Sequence, residues 1–248
     1  MNDMTQGQHK ELTAEQQWEQ FSELKTAEDY INSLRGRNLD VFLLGERVDE
    51  PVDHPIIRPS INAMAESYIL AEEDPELATA WSSISEQQIN RFLHVPESSR
   101  DLVQKNKMQR RMGQLTGTCF QRCAGLDTLS VLFSITYDID KKHGTPYHAR
   151  YVNFLKKAQQ NNLIVGAGMT DPKGDRSKRP SDQTDPDLFM HVTRRTEAGL
   201  YVKGAKAHMT GGLNSHWICV MPTMNMLEGD KDYAVIGMIP ATAPGLTF

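Results

Sequence analysis

Apolar positions fall at helical spacing through about the first 160 residues and alternate along short segments after that. The chain opens on a polar stretch, Met1 to about Leu12, with no periodic apolar face, which predicts disorder. Thr13-Ala14-Glu15-Gln16 is a helix-start pattern leading to Trp18, Phe21 and Leu24. Thr26-Ala27-Glu28-Asp29 is a second start with an acidic first turn. Tyr30, Ile31 and Leu34 then share a face, and Gly36 is a natural stop. Residues 38–44 alternate loosely, as a short strand or extended arm. Pro51, Pro55 and Pro59 mark a loop. Ser60 can cap a helix to about residue 73, with Ile61, Met64, Ala65, Tyr68 and Ile69 inward. Further helices fit residues 86–93, 98–113 and 118–142. The last is apolar on most faces, as a buried central helix would be. Residues 146–160 form one more amphipathic helix.

The pattern then changes. Leu163-Ile164-Val165 is a short apolar run. Residues 189–196 and 200–206 alternate on either side of Glu197-Ala198-Gly199, which predicts a hairpin. Residues 217–221 and 233–239 read as two more strands. A sheet needs several strands to bury a face, so this β region reads as unfinished. The expected division is a polar extension over 1–25, a helical N-terminal domain over 26–160 and a truncated middle β domain over 161–248, an α+β chain.

Composition narrows the partners. Asp and Glu number 32 against 27 Lys and Arg, a formal charge of -5, which argues against nucleic acid. Three cysteines are an odd, sparse set that suits a reducing compartment better than a disulfide framework. No apolar h-region and no apolar run near the roughly 18 residues of a membrane span are visible, so the expected setting is cytoplasmic, away from membranes.

The candidate chemistry starts with Cys119 and Cys123, four apart in the helix expected over 118–142. That spacing puts both sulfurs on one face, one turn apart. Such thiolates can share a zinc or an iron–sulfur cluster. They can equally be small apolar residues in a helical core, which spacing alone favours. Cys219 reads as a strand-core residue, because His216 and Cys219 would point to opposite faces of a strand. Turn-rich Thr170-Asp171-Pro172-Lys173-Gly174-Asp175-Arg176 can hold a phosphate or a flavin, or be a solvated loop. Residues 204–212 end in Gly211-Gly212, where small residues admit a flat ligand or simply turn the chain. Arg58, near His54, can bind an anion or pair with a carboxylate.

Five segments occur in one order: Asp53-His54-Pro55-Ile56-Ile57-Arg58-Pro59-Ser60, Lys107-Met108-Gln109-Arg110, Cys119-Phe120-Gln121-Arg122-Cys123, Met169 through Arg176, and Gly204-Ala205-Lys206-Ala207-His208. Together they resemble the 4-hydroxybutyryl-CoA dehydratase/vinylacetyl-CoA Δ-isomerase family, within the 4-hydroxyphenylacetate 3-hydroxylase superfamily. The resemblance covers roughly Thr26 to Phe248. It implies an acyl-CoA dehydrogenase-like fold: a helical N-terminal domain, a middle β domain, and a C-terminal helical bundle that is missing here. It implies FAD, held by Met169, Thr170, Asp171, Pro172, Lys173, Gly174, Asp175 and Arg176 and by His208, Met209 and Thr210. It also implies a 4Fe-4S cluster on three Cys and one His. Cys119 and Cys123 match the first two of those Cys, which tips their reading towards ligands. The remaining ligands and catalytic residues would lie beyond Phe248.

The implied reaction removes water from an acyl-CoA substrate, 4-hydroxybutyryl-CoA, to give crotonyl-CoA through a flavin radical mechanism. Isomerisation of vinylacetyl-CoA would reuse the same proton removal. The resemblance further implies a homotetramer. The alternatives are a flavin-dependent phenol monooxygenase of the same fold and an inactive or binding-only fragment. The isolated chain is expected to be inactive.

Overall fold

Thr26 and Asp29 close a reciprocal capping box and start helix α1 (Ala27–Ser33), where Tyr30 is fully buried. In this computed structural model the described residues are Trp18, 21–197 and 199–248. Of the polar extension and the helix expected from Thr13 to Leu24, residues 1–17, 19 and 20 lie outside the described residues; residues 21–25 are not helical, because Leu24 N donates to Asn161 O at 3.1 Å and Leu24 O accepts from Asn162 Nδ2 at 2.9 Å. Strands β1 (Phe42–Leu43) and β2 (Glu46–Arg47) form a hairpin across Leu44 and Gly45, both at positive φ (54° and 88°), as a tight two-residue turn requires. Helix α2 (Arg58–Glu73) begins two residues before Ser60, because Pro59 is pre-set for a first helical turn. Its Ile61, Met64, Ala65 and Tyr68 are buried, as their spacing predicts.

A short α3 (Pro75–Ala78) leads into β3 (Thr79–Ser82), which pairs antiparallel with β4 (Gln87–Asn90). A 3-10 turn over Arg91–Leu93 follows. The helix expected over 86–93 is therefore a strand and a turn. Ile89, Phe92 and Leu93 are all buried at i, i+3 and i+4, so the transition imitates helical spacing. The Asn90 side chain accepts from Phe92 N at 3.0 Å and donates to Ser67 O at 3.0 Å, which fixes the change of direction.

Ser98 caps α4 (Ser99–Thr116), which stops at left-handed Gly117. Helix α5 (Cys123–His143) starts five residues later than expected and ends at left-handed Gly144. The Asp140 carboxylate then accepts from Tyr147 N and His148 N and starts α6 (Tyr147–Gln160).

A three-stranded sheet follows. Strand β5 (Val165–Gly168) runs parallel to β8 (Trp217–Val220), and β8 pairs antiparallel with β9 (Gly237–Pro240). Strands β6 (His191–Thr196) and β7 (Gly199–Lys203) form the expected hairpin, with a bulge between Val192 and Arg194. Helices and sheet share one core. Tyr30, Met64, Tyr68, Leu129 and Leu155 belong to the same cluster as Leu163, Ile164, Trp217 and Cys219. Cys219 is fully buried in β8, and burial pushes its thiol up to about 12. No described helix is long and apolar enough to cross a membrane.

Asp230 pins the turn over Glu228–Tyr233 to the preceding loop. It accepts from Arg179 Nε at 2.9 Å, Ser181 Oγ at 2.9 Å and Leu227 N at 3.1 Å. Burial pushes its carboxyl up, but Arg179 and the other donors outweigh burial and hold it at about 2. The folded-state value is thus below the unfolded value of about 3.9, so this contribution is complete above pH ~4 and is lost as pH falls towards ~2. Asp230→Asn is expected to lower the melting temperature at pH 7 and to flatten its fall between pH 5 and 2.5. Thermal melts across that range check it; an unchanged slope contradicts it.

Candidate functional site

Two loops leave the carboxyl ends of the parallel pair β5 and β8. The first carries Met169 to Arg176, and the second begins at Met221, whose N–H donates to Gly168 O at 3.2 Å. The first loop meets the chain beyond β7. Ala207 N donates to Thr170 O at 2.8 Å, and the Lys206 ammonium reaches Asp171 Oδ1 at 2.5 Å. Met169 to Asp171 and the stretch leading into His208 to Thr210 are therefore brought together.

The rest of the first segment turns outward. Pro172 is half-buried, and Lys173, Gly174, Asp175 and Arg176 are exposed. Asp175 Oδ1 accepts from Ser177 Oγ at 2.7 Å and from its N–H at 3.0 Å, which holds the Asp175 carboxyl below the usual range. Gly174 has φ 48°, and a Cβ there would come within 2.5 Å of Leu188. In the second segment, His208 is exposed at φ 52° and Thr210 is exposed. Met209 is tucked in, and a Cβ on Gly168 would fall 2.7 Å from its sulfur.

The exposed cations Lys173 and Arg176 could meet a diphosphate, and the exposed Thr210 hydroxyl beside Gly211 and Gly212 could meet a polar ring edge, the chemistry a flavin would need.

The cysteines are placed differently from the expected helix. Residues 117–122 form a loop, with Gly117 and Gln121 both at φ 61°. Cys119 lies in this loop and is exposed. Cys123 is the first residue of α5 and half-buried. They are not one turn apart on a buried helix, because no helix can run through left-handed Gly117 and Gln121. Burial, then the neighbouring Cys119, pushes the Cys123 thiol up, while backbone N–H groups of the first helical turn pull it down. Among the described residues, no three or more His, Cys, Asp or Glu side chains gather where they could hold a metal. Cys119 and Cys123 fit a thiophilic metal group as two of its ligands and no more.

The residues between the cysteines anchor the loop. Arg122 is 2% exposed and donates to Ser67 Oγ at 2.7 Å. Its guanidinium lies 4.9 Å from the Phe92 ring centre and 5.5 Å from that of Tyr68. Gln121 faces the other way. Asn214 Nδ2 donates to Gln121 Oε1 at 3.2 Å, and a Cβ on Gly211 would come within 2.8 Å of the Gln121 side chain. The cysteine loop thus packs directly against the residue after Thr210. Gln121 and Lys206 carry no site signal of their own in the sequence. Only their long-range partners single them out.

Other candidates resolve simply. Arg58 pairs with Asp53 at 3.0 Å, the carboxylate alternative. His216 accepts from Ile164 N at 3.0 Å through Nδ1 and meets Ser33 Oγ at 2.9 Å through Nε2, so both ring nitrogens are used. Burial lowers its pKa well below the usual value, so the ring is neutral.

Comparison with known proteins gives a consistent picture. A model of the family described as 4-hydroxyphenylacetate 3-hydroxylase N terminal matches residues 26–248. A 4-hydroxybutyryl-CoA dehydratase/vinylacetyl-CoA-Delta-isomerase of Clostridium aminobutyricum is 51% identical over 226 residues, covering 90% of this chain and 46% of that protein. An oxygen-tolerant archaeal 4-hydroxybutyryl-CoA dehydratase from N. maritimus superposes with a TM-score of 0.88 at 60% identity, covering 90% of this chain and 45% of that one. The oxygenase component of 4-hydroxyphenylacetate 3-monooxygenase, complexed with FAD, superposes with a TM-score of 0.70 at 21% identity, over 90% of this chain and 46% of that one. The last likeness speaks to the fold alone. The chain spans about half the length of the relatives it matches.

Proposed function

The chain belongs to the 4-hydroxyphenylacetate 3-hydroxylase N-terminal family, and from that membership we propose that it is the front part of a FAD- and 4Fe-4S-dependent dehydratase. The whole protein converts 4-hydroxybutyryl-CoA to crotonyl-CoA and isomerises vinylacetyl-CoA. The observation that carries this reading is the packing of the Cys119–Cys123 loop against Gly211, beside Thr210. It supports a reading in which the loop that carries the two thiols borders the stretch assigned to the flavin, which a dehydration using both groups needs and a flavin monooxygenase does not. The greater likeness to the dehydratases than to the monooxygenase supports the same choice.

When bound, the flavin supplies one-electron redox chemistry and the cluster supplies a Lewis acid for the departing hydroxyl. The protein's own part is placement. Lys173 and Arg176 would hold the cofactor's diphosphate, and Thr210 would offer its hydroxyl to the flavin. Met209, filling the space against Gly168 and Gly212, keeps water from that side. Cys119 and Cys123 give two thiolates. Arg122, buried under Phe92 and Tyr68, stops their loop from drifting. The helical and β domain division at about residue 160, a homotetrameric state and a cytoplasmic setting belong to the same proposal.

The test sets the two enzyme classes against each other. The full-length protein, reconstituted anaerobically with FAD, iron and sulfide, forms crotonyl-CoA from 4-hydroxybutyryl-CoA. Offered 4-hydroxyphenylacetate with reduced FAD and oxygen, it forms no catechol. Residues 1–248 alone form neither product, since two thiolates do not hold a cluster that needs four ligands. Phenol hydroxylation without dehydration overturns the reading in favour of the monooxygenase.

A further inference from the structure

A buried ion pair stands where the two proposed flavin segments meet. Lys206 and Asp171 have side chains only 8% and 6% exposed. The Lys206 ammonium donates to Asp171 Oδ1 at 2.5 Å, to Met221 O at 2.6 Å and to Met169 O at 3.3 Å. An ammonium has three protons to give, and here each has an acceptor. The second carboxylate oxygen of Asp171 accepts from Thr223 Oγ1 at 3.0 Å and from its N–H at 3.3 Å. Lys206 therefore ties together three stretches of chain: the first flavin segment, its own approach to the second, and residues 221–223.

Two of those stretches are loops leaving the carboxyl ends of β5 and β8. The first is also joined to the stretch before His208 by Ala207 N to Thr170 O, and the second begins where Met221 N donates to Gly168 O. The strands are paired independently of Lys206. Loss of its ammonium is expected to loosen the loops without undoing the sheet.

We infer that Lys206 is a positioning residue for the flavin site, and that Asp171 is its partner in a clamp with Thr223 rather than a ligand of the cofactor. The inference rests on the flavin reading of Met169 to Arg176 and His208 to Thr210. Asp171 has both oxygens engaged, so it has little left to offer a cofactor. A bare carboxylate beside a diphosphate would repel it, and Lys206 neutralises that charge. The clamp holds Asp171, from which the loop turns out to Lys173 and Arg176, against the stretch that leads into Thr210. Residues 221–223 thereby enter the flavin cradle as supports.

The experiment uses the full-length protein and FAD itself. Apo-protein is titrated with FAD, and affinity, visible circular dichroism of the bound flavin and the apo melting temperature are recorded. Lys206→Met and Asp171→Asn are each expected to weaken FAD binding by about tenfold and to change the flavin dichroism, the size of effect that outer supports of a site show. Combining them is expected to add little to either alone, because both break one clamp. Lys206→Arg restores part of the affinity. If Lys206→Met fails to fold, Thr223→Val carries the test, since it keeps the ion pair and removes one hydrogen bond. Its expected cost is about threefold in affinity. Folded variants that bind FAD within twofold of the natural protein, with unchanged dichroism, overturn the clamp while leaving the flavin reading intact. A natural full-length protein that does not bind FAD overturns both.

Discussion

Serine at position 123 of the full-length protein is expected to remove the iron while leaving the flavin bound, and to cut dehydration by three orders of magnitude or more. Cys123 opens α5 and is half-buried, so serine fits the same space and the helix start survives. Burial and Cys119 push its thiol up, so metal binding there works against a held proton. A serine hydroxyl is a hard, weakly acidic donor and does not replace a soft thiolate. Loss of a Lewis acid that contributes several kcal/mol corresponds to roughly a thousandfold in rate. Flavin content should hold, because Gln121 and Arg122 keep the loop against Gly211 and the helical core. Cys219→Ser is the control: it sits in β8, fully buried, and should cost stability without touching iron. Iron, sulfide and FAD per chain, measured beside crotonyl-CoA formation, decide it. A Cys123→Ser protein with full iron and activity removes Cys123 from the ligand set.

The second large effect is mechanical. Gly125 lies one residue beyond Ala124 in the first turn of α5, against β5. A Cβ there would fall 1.9 Å from Val165 O and 2.9 Å from Val165 C. The obstacle is backbone, not the yielding end of a side chain. Moving α5 away would unpack buried Leu126, Leu129 and Leu132. Gly125→Ala is expected to cost about 3 kcal/mol, the upper part of the usual overpacking range, and Gly125→Val to leave no stable fold. Gly113 is the matched control. It lies inside α4 with nothing within 4 Å of a Cβ, so Gly113→Ala should be neutral or stabilising by up to about 1 kcal/mol. Denaturant melts of both variants check the pair. Equal stability for Gly125→Ala and the natural protein would contradict the close contact of α5 with β5.

Most of the helical part was legible because its ends are chemical. Thr26 with Asp29 and Ser98 mark starts that local hydrogen bonding dictates, whereas the helix expected to end at Gly113 runs on to Thr116 and stops at left-handed Gly117. Two helix readings failed for different reasons. Residues 86–93 carry helical spacing without a helix, because Ile89, Phe92 and Leu93 reach the core from a strand and a turn. Helix α5 starts late because Gln121 adopts a left-handed conformation that its sequence neighbours do not announce. Arg122 stands at the cap position without a side-chain cap bond, so no start signal is written there.

The candidate site was legible as segments but not as a surface. Cys119, Cys123, Met169 to Arg176 and His208 to Thr210 are named by the resemblance that the five ordered segments carry, whereas spacing alone leaves the cysteines as core residues and the turn segment as a solvated loop. That Gly211 abuts Gln121, or that Lys206 closes on Asp171 35 positions away, is a property of the folded chain. Periodicity reports which face of an element is buried, not which loop it meets.

A dehydratase that needs both a flavin and a cluster, as proposed for the whole protein, is revealed by its products. Full-length holoprotein, prepared without oxygen, is incubated with 4-hydroxybutyryl-CoA, and acyl-CoA products are separated and identified. Samples stripped of FAD or of iron run alongside. The account predicts crotonyl-CoA from the holoprotein and none from either stripped sample, with activity returning when the missing group is restored. Crotonyl-CoA formed at the same rate after iron removal, or no crotonyl-CoA from a protein loaded with both groups, would contradict it.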